Sequence, residues 1–463
     1  MLLQIKVAME SSITTNIIAK QSLNGLQLTD ILDKEDKEWS TNVLCLNQLQ
    51  HGGEQHNIRP LGRPIIEPSK SNRSPRSIIC QDLYWSLDGR CVTAVTDDHA
   101  IRRYMIAHDS NGKTILQLTN RVFKNQTIVS SEMVPNDTST IAIDNPGEKI
   151  LIGSRNLPIQ LYSLNSTNDD VTSDTPLFTY STMNPQNEVF ETPYSISSLT
   201  QETFLVGSIR NSVSLYDISC KEPIRNIRSD KIKSGKAQYK SIVSCFDEGC
   251  TGVTNSNGHN DNYLRTKYFG TYKNEIYRVD LRVNRKGMDC VQQNNKKGNG
   301  IYQLLKSENG LYLYVVKRQS NQISIYDIRK HGSCLNSLKL PFMIKNQKFK
   351  ANISSFNGLS IGTTANNIIN WERSIVESGG ITRHDYELDI KFSDNKSILT
   401  TMTTSIGGSI EEHPIGTQQE RRINIVKQNP EYLDQTVVSY SPDKTALPNI
   451  TQDASGICLI DTP

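Results

Sequence analysis

The stretch Ile323-Ser324-Ile325-Tyr326-Asp327-Ile328-Arg329 begins with alternating apolar and polar side chains, which is typical of a β-strand, and Asp327 near its end favours a turn. Similar phrases recur along the chain, each built on a large apolar anchor: Tyr104, Tyr162, Tyr216, Val279, Tyr326 and Trp371. The anchors are 58, 54, 63, 47 and 45 residues apart. The chain therefore contains a repeat whose shortest intervals are close to 45 residues.

A second phrase precedes each anchor and consists of an apolar strand, a polar turn and another apolar strand ending in a small residue. The clearest copy runs from Tyr84 to Val95, where Asp88-Gly89 marks a hairpin turn. Another copy is Phe204-Leu205-Val206-Gly207-Ser208. Each repeat therefore contains several short strands.

Six anchored units, and a seventh that begins near Leu388-Asp389-Ile390, occupy the 320 residues from 85 to 404, or about 46 residues a unit. A four-stranded unit cannot bury both of its faces alone, but radial stacking of such units can. Helical periodicity is scarce. The sequence therefore predicts an all-β fold, a seven-bladed WD-repeat-like β-propeller, and an array of β-sandwiches is the structural alternative.

The ends of the chain differ from the middle. Residues 1–76 are polar, and Pro60, Pro64, Pro68 and Pro75 mark a linker near their end, which predicts a flexible N-terminal extension and linker. Residues 42–46 could nevertheless supply a strand that closes the ring. We assign residues 77–463 to the propeller and expect residues 405–434 to be a loop or insertion. Residues 436–440 and 457–461 could complete the last blade.

Charge is segregated along the chain. The 463 residues carry a net charge of +3, but residues 221–350 contain 25 Lys and Arg against 10 Asp and Glu. A charge excess of this size attracts a polyanion and releases its counterions on binding, although a solvated basic surface without a partner is an equally simple explanation. The candidate residues for binding RNA or a ribonucleoprotein are Arg225, Arg228, Lys231, Lys233, Lys236, Lys240, Arg282, Arg285 and Lys286.

Motifs of catalysis are missing from the sequence. It has no phosphate-binding glycine loop, no nucleophile elbow, no His-Glu-x-x-His helix and no Cys-x-x-Cys pair, so we expect no enzyme activity, metal or cofactor. No apolar run approaches the roughly 20 residues of a membrane helix. Asp217, Asp280 and Asp327 recur at the ends of equivalent strands, which favours structural hydrogen bonds, and Trp85 and Trp371 are expected in the core.

Three ordered stretches resemble a known family. They are residues 82–104, with Asp82-Leu83-Tyr84-Trp85-Ser86-Leu87-Asp88-Gly89 at the start, residues 191–217, and Ser241-Ile242-Val243-Ser244-Cys245-Phe246. Together they are similar to the WD-repeat proteins that bind small nuclear and Cajal-body RNAs, including the animal telomerase Cajal-body protein. The Asn-rich composition is most similar to the yeast spliceosome-associated branch, named for a genetic interaction with the cap trimethylguanosine synthase.

The resemblance implies a nuclear, non-enzymatic propeller that associates with small nuclear ribonucleoproteins and spliceosomal proteins. It would support pre-mRNA splicing and help to stabilise 5′ splice-site recognition, with direct RNA contact possible through the basic residues. We expect a monomer that does not bind membranes. The alternative is a protein–protein scaffold propeller, such as a ubiquitin-ligase receptor or a trafficking adaptor.

Overall fold

The computed structural model describes residues 12–15, 17–22, 78–108, 114–135, 148–164, 175–184, 188–228, 241–248, 266–283, 288–292, 299–307, 310–330, 334–345, 349–353, 358–365, 367–371, 380–382, 386–390, 421–432, 435–442 and 456–461. These residues form strands, turns and irregular segments, and none of them is helical. The predicted all-β class is therefore confirmed.

Three sheets of four antiparallel strands follow one another, and in each the strands are ordered as in the chain. Sheet A contains β3 (Cys80–Trp85), β4 (Cys91–Thr96), β5 (Ala100–His108) and β6 (Thr114–Phe123). Sheet B contains β7 (Ile128–Val134), β8 (Lys149–Ser154), β9 (Ile159–Ser163) and β10 (Phe178–Tyr180). Sheet C contains β13 (Ser195–Ser198), β14 (Thr203–Gly207), β15 (Ser212–Asp217) and β16 (Arg225–Arg228). The short strands β11 (Met183–Asn184) and β12 (Val189–Phe190) pair with each other between sheets B and C.

Sheet D has nine strands and consists of two four-stranded antiparallel halves and one edge strand that pairs in parallel. The first half contains β17 (Val243–Glu248), β18 (Thr266–Thr271), β19 (Ile276–Asp280) and β20 (Met288–Gln292). The second half contains β21 (Ile301–Lys306), β22 (Tyr312–Lys317), β23 (Ser320–Asp327) and β24 (Cys334–Ile344), with β28 (Gly380–Thr382) at its edge. The halves join where β17 pairs in parallel with β21, so both first strands run in the same direction.

The last two sheets each take a strand from the N-terminal segment. Sheet E contains β25 (Asn352–Ile353), β26 (Leu359–Gly362), β27 (Asn367–Trp371), β29 (Tyr386–Ile390) and β1 (Ser12–Thr15). Sheet F contains β30 (Arg421–Gln428), β31 (Gln435–Pro442), β32 (Gly456–Asp461) and β2 (Ile17–Ser22). Strand β2 pairs antiparallel with β32, so the two ends of the chain meet in sheet F.

The six anchors of the sequence repeat occupy equivalent places. Each lies in the third strand of its sheet or half-sheet and pairs with a residue of the second strand; Tyr216, for example, faces Phe204 across β15 and β14. All six side chains are buried, with at most 7% of their surface exposed. Their burial explains the periodicity, because one large apolar side chain per unit supplies much of the contact between neighbouring layers.

Small residues at the ends of second strands allow neighbouring sheets to approach closely. A Cβ atom on Gly207 would lie 2.4 Å from Cγ1 of Val243 in β17, and one on Gly362 would lie 2.3 Å from the carbonyl oxygen of Ile423 in β30. The glycine at the end of the repeated phrase is therefore required by the next first strand, which packs directly against it.

First strands carry most of the contact between sheets. Strand β7 contacts β13, β13 contacts β17, and β25 contacts β30. Strand β30 also contacts β3, which brings the last sheet against the first. Between the second half of sheet D and sheet E, the side-chain amide of Gln303 exchanges two hydrogen bonds with the backbone of Ala351, at 2.9 and 3.0 Å.

Three predicted boundaries were wrong. Residues 421–428, expected in a loop or insertion spanning 405–434, form strand β30, because Ile423, Ile425 and Val426 pack into the core. Residues 386–390, expected to begin a new unit, instead form β29 beside β27 in sheet E. Part of the predicted extension 1–76 belongs to the β-domain through β1 and β2, and the proposed closing strand at 42–46 lies outside the described residues.

Candidate nucleic-acid interface

The predicted basic residues are only partly within the described structure. Arg225 and Arg282 are described with their side chains, and Arg228 ends strand β16. The other candidates lie outside the described residues: Lys231, Lys233, Lys236, Lys240, Arg285 and Lys286.

Arg225 and Arg282 are neighbours across sheets C and D. The guanidinium of Arg225 donates hydrogen bonds to the backbone carbonyl oxygens of Leu281, at 3.2 Å, and of Val283. Arg225 therefore fixes the turn that contains Arg282. Its two bonded nitrogens are directed at protein carbonyls, so this half-buried arginine tethers two sheets.

Arg282 forms an ion pair with Asp280 in its own turn. Its Nη2 lies 2.7 Å from Oδ2 of Asp280, and its Nε lies 3.0 Å from Oδ1. Arg329 makes the same contacts to Asp327 in the second half of sheet D. Hydrogen bonds from the arginine side chains hold the pKa of both aspartates below the usual value.

These aspartates confirm the predicted structural hydrogen bonds. Oδ1 of Asp217, Asp280 and Asp327 each accepts a bond from the backbone N–H two residues later, at 2.8, 3.0 and 2.9 Å. The turns after β15, β19 and β23 therefore share one aspartate-capped geometry. At this end of the sheets the charge of Arg282 and Arg329 is compensated locally.

The opposite end of sheets B to D is formed by the turns between second and third strands. We call residues 154–158, 208–212, 271–275 and 317–322 the turn end. Each carries a cationic side chain that is exposed or half-exposed: Arg155, Arg210, Lys273 and Arg318. The sequence showed this signal, a basic residue in the same turn of consecutive repeats, but our prediction of the site missed it.

Contacts between neighbouring sheets make the turn end continuous. Asn156 exchanges hydrogen bonds of 2.8 and 3.1 Å with Thr192, at the start of sheet C. Asn211 does the same with Ser241, through bonds of 2.8 and 2.9 Å. Ser241, which directly follows Lys240 in the sequence, is therefore bonded to the turn end.

A second charged cluster lies where first strands meet. The Nζ of Lys350 lies 2.7 Å from Oδ2 of Asp82 in β3 and 3.3 Å from Oε1 of Glu248 in β17. Lys427 in β30 binds Oε2 of Glu248 at 2.9 Å, and Gln303 in β21 donates to the same oxygen at 3.1 Å. The cluster therefore connects sheets A, D and F with the segment that leads into sheet E.

The electrostatics of this cluster are mutually compensating. Burial alone would raise the pKa of Glu248, but the ammonium groups of Lys350 and Lys427 lower it to about 2. Burial would likewise lower the pKa of Lys350, yet Asp82 and Glu248 raise it. Both ions therefore remain charged at neutral pH, which makes the cluster a set of cross-links between sheets.

Glu132 in β7 behaves differently from Glu248. Burial raises its pKa to about 7, with Glu248 and Asp82 adding to the rise and Lys267 opposing it. One oxygen of Glu132 accepts a hydrogen bond from the backbone N–H of Ser198 at 3.3 Å. Glu132 is therefore a carboxyl group that titrates near neutral pH. Sequence reasoning missed the cluster because its members are far apart in the chain; Lys350 and Asp82, for example, are separated by 268 residues.

The two predicted core tryptophans differ. Trp371 is buried, with 2% of its surface exposed, which confirms the prediction. Trp85 is only half-buried; its Nε1–H donates a 3.0 Å hydrogen bond to the carbonyl oxygen of Lys427, so it also joins the first sheet to the last. His99 occupies a turn with φ of 67°, as predicted.

The described residues contain no group of three or more His, Cys, Asp or Glu side chains placed to hold a metal ion. Within the same part of the chain, no helix has the length and apolar composition required to cross a lipid bilayer.

Comparisons with known proteins place the chain in a family, although no family model matches it. It is 33% identical over 451 residues to Protein SWT21 of Vanderwaltozyma polyspora, covering 95% of each chain. It is 36% identical to Protein SWT21 of Kluyveromyces lactis, covering 80% of this chain and 82% of the relative. Against Protein SWT21 of Saccharomyces cerevisiae strain YJM789, identity is 37% over 67% of this chain and 84% of the relative. The resemblance to the yeast branch is therefore confirmed, and the chain belongs to the SWT21 family.

Proposed function

We propose that the chain is a non-enzymatic adaptor in pre-mRNA splicing that acts in the nucleus and associates with small nuclear ribonucleoproteins. Its role would be to help stabilise 5′ splice-site recognition by binding ribonucleoprotein and spliceosomal proteins at once. The observation that carries this proposal is the similarity to SWT21 proteins across nearly the whole chain. The resemblance to the wider family of small nuclear RNA-binding WD-repeat proteins supplies the partner class.

The proposal includes a seven-bladed, WD-repeat-like arrangement of the sheets. Sheets A, B, C, E and F and the two halves of sheet D would each be one blade. Contacts between successive first strands support this arrangement, as does the contact of β30 with β3. Pairing of β2 with β32 would hold the last blade closed, because the two strands come from opposite ends of the chain.

The contacts of the charged side chains support the proposal of a binding surface without catalytic activity. Asp82, Glu248, Lys350 and Lys427 are bound to one another, and Arg282 and Arg329 are bound to neighbouring aspartates. Groups engaged in this way hold sheets and turns in place. Binding is then left to the remaining surface, where the excess positive charge of residues 221–350 suits an RNA-containing partner.

The test is to replace the SWT21 protein of Saccharomyces cerevisiae with a tagged copy of this chain, purify it at low salt, and sequence the bound RNA. Enrichment of spliceosomal small nuclear RNAs over a strain that expresses the tag alone is the expected result. Recovery of ubiquitin-ligase or trafficking proteins without these RNAs would instead support the scaffold alternative.

A further inference from the structure

We propose that the turn end of sheets B to D binds the sugar–phosphate backbone of single-stranded RNA, with Arg318 as its most rigid phosphate ligand. This inference deepens the proposed function, on which it rests for the class of ligand. It assigns the binding surface to described residues that our sequence prediction did not include.

The guanidinium of Arg318 contacts two aromatic rings. Its guanidinium carbon lies 4.3 Å from the ring centre of Tyr272 and 4.5 Å from that of Tyr302. One terminal nitrogen donates a 2.9 Å hydrogen bond to the hydroxyl of Tyr272. Two cation–π contacts and one hydrogen bond restrict the rotation of the guanidinium, so its donors are already oriented before a ligand arrives.

The positive charge of Arg318 lacks a counterion within the described structure. Its Nε–H is buried and has no hydrogen-bond acceptor among the described residues. No described carboxylate forms an ion pair with Arg318, Arg155 or Arg210. Arg282 and Arg329, at the opposite end of the sheets, are each paired with an aspartate. An external anion should therefore bind more favourably at the turn end than at the aspartate-capped end.

Arg210 occupies an unusual backbone conformation. Its φ is 63° and that of Asn211 is 54°, and the N–H of Ser212 bonds to the carbonyl oxygen of Ile209 at 3.2 Å, which defines a type I′ turn. Glycine, asparagine or aspartate normally fills the first central position of this turn. A long, exposed cation is held there at a cost in backbone strain, which favours a role for its side chain.

The arrangement fits RNA better than an acidic peptide. One cation recurs in each of the successive turns of sheets B to D, which matches a polymer with one phosphate per nucleotide. Aromatic rings lie beside one of these cations, since Tyr272 and Tyr302 both contact Arg318. Interleaved tyrosine and arginine side chains are typical of surfaces that bind single-stranded nucleic acid.

The test uses the full-length chain, a fluorescein-labelled 20-nucleotide oligouridylate, and fluorescence anisotropy at several salt concentrations. Two double variants remove the same charge from opposite ends: Arg155→Gln with Arg210→Gln at the turn end, and Arg282→Gln with Arg329→Gln at the aspartate-capped end. The turn-end pair should weaken binding on the order of tenfold and reduce the slope of log affinity against log salt by about 1.4, which corresponds to two lost phosphate contacts on a single strand. The control pair should change affinity less than twofold.

Arg318→Lys provides a second, independent readout. The substitution keeps the charge but loses the planar fork, so affinity should fall severalfold while the salt slope changes little. Binding equal to wild type would exclude Arg318 as a phosphate ligand. Thermal unfolding of every variant must match wild type, and the turn-end pair is suited to this because both side chains are exposed.

The outcomes separate this inference from the proposed function. If small nuclear RNAs copurify but the turn-end pair binds oligouridylate like wild type, or wild type binds none, the surface assignment is wrong and the proposed function stands. If oligouridylate binding requires Arg155 and Arg210 but no small nuclear RNA copurifies, the surface stands and the proposed function fails. Equal competition by a 20-residue polyglutamate peptide would overturn RNA as the ligand.

Discussion

Lys350 and Asp82 are 268 residues apart in the sequence, yet the Nζ of Lys350 lies 2.8 and 2.7 Å from the two carboxylate oxygens of Asp82. Asp82 lies in the first strand of sheet A, whereas Lys350 lies two residues before the first strand of sheet E. Both side chains are largely buried, with 11% and 14% of their surface exposed. The pair is therefore a cross-link between distant parts of the chain.

Lys350→Met should destabilise the fold by about 3 kcal/mol, because it leaves Asp82 buried without its counterion. Urea denaturation at pH 7 measures the change. Lys339→Met, at an exposed position on β24, is the matched control and should alter stability by less than about 0.5 kcal/mol. The double variant Lys350→Met with Asp82→Asn measures the coupling between the two side chains. If it is no more stable than the sum of the two single effects predicts, the pair does not couple sheet A to the segment before sheet E.

Glu132 should make stability decline as pH rises toward neutral. Its pKa is raised from 4.5 to about 7 by burial, so between these values the folded chain holds a proton that the unfolded chain has released. The free energy of unfolding contributed by this group is complete below about pH 4.5 and is lost as pH passes 7, by at most about 3 kcal/mol.

Glu132→Gln should remove that decline. Urea denaturation from pH 5 to pH 8 would show this as a free energy of unfolding that changes less with pH than that of wild type. Glu202→Gln is the control, since Glu202 is exposed in the turn after β13 and should leave the profile unchanged. Parallel profiles for wild type and Glu132→Gln would mean that Glu132 titrates at its usual pKa.

The contribution of Glu248 to the free energy of unfolding should change with pH in the opposite direction. Lys350 and Lys427 overcome the effect of burial and hold its pKa near 2, so its contribution is complete above the usual value of 4.5 and is lost as pH falls toward 2. Glu248→Gln should therefore destabilise the chain at pH 7 and narrow the difference from wild type at pH 3. A constant difference at the two pH values would argue against the ion pairs.

Gly362→Ala should destabilise sheets E and F by about 1–3 kcal/mol, because the new Cβ would overlap the backbone carbonyl of Ile423 at 2.3 Å. Backbone atoms of a packed strand cannot rotate away as a side chain can. Thr364→Ala, two residues later at a half-exposed position, is the control and should be nearly neutral. An unchanged melting temperature for Gly362→Ala would show that β26 and β30 are not packed as described.

The local sequence pattern was sufficient to predict a strand where the residues that indicate it lie within a single repeat. The third strands were predicted because a buried aromatic or aliphatic anchor recurs, as in Tyr216 and Tyr326. Strand β30 was missed because Arg421-Arg422-Ile423-Asn424-Ile425 has no such anchor and lies among polar residues. Strands β1 and β2 depend on partners more than 350 residues away, which no local pattern reveals.

The candidate site was predicted less well than the fold. Counting charge located the basic region but could not distinguish an arginine bound to its own turn, such as Arg282, from one without a carboxylate partner, such as Arg318. Strand direction decides at which end of the sheet each arginine lies. Arg282 follows a third strand and Arg318 follows a second strand, so they lie at opposite ends of one sheet.

Ultraviolet cross-linking of the tagged chain to its bound RNA, followed by identification of the linked peptides, tests the central claim most directly. A ribonucleoprotein adaptor that holds RNA at the turn end predicts cross-links in peptides that contain Tyr272, Tyr302 or Arg318. Cross-links confined to peptides that contain Arg282 or Arg329, or purified small nuclear RNA with no cross-link to this chain, would contradict it.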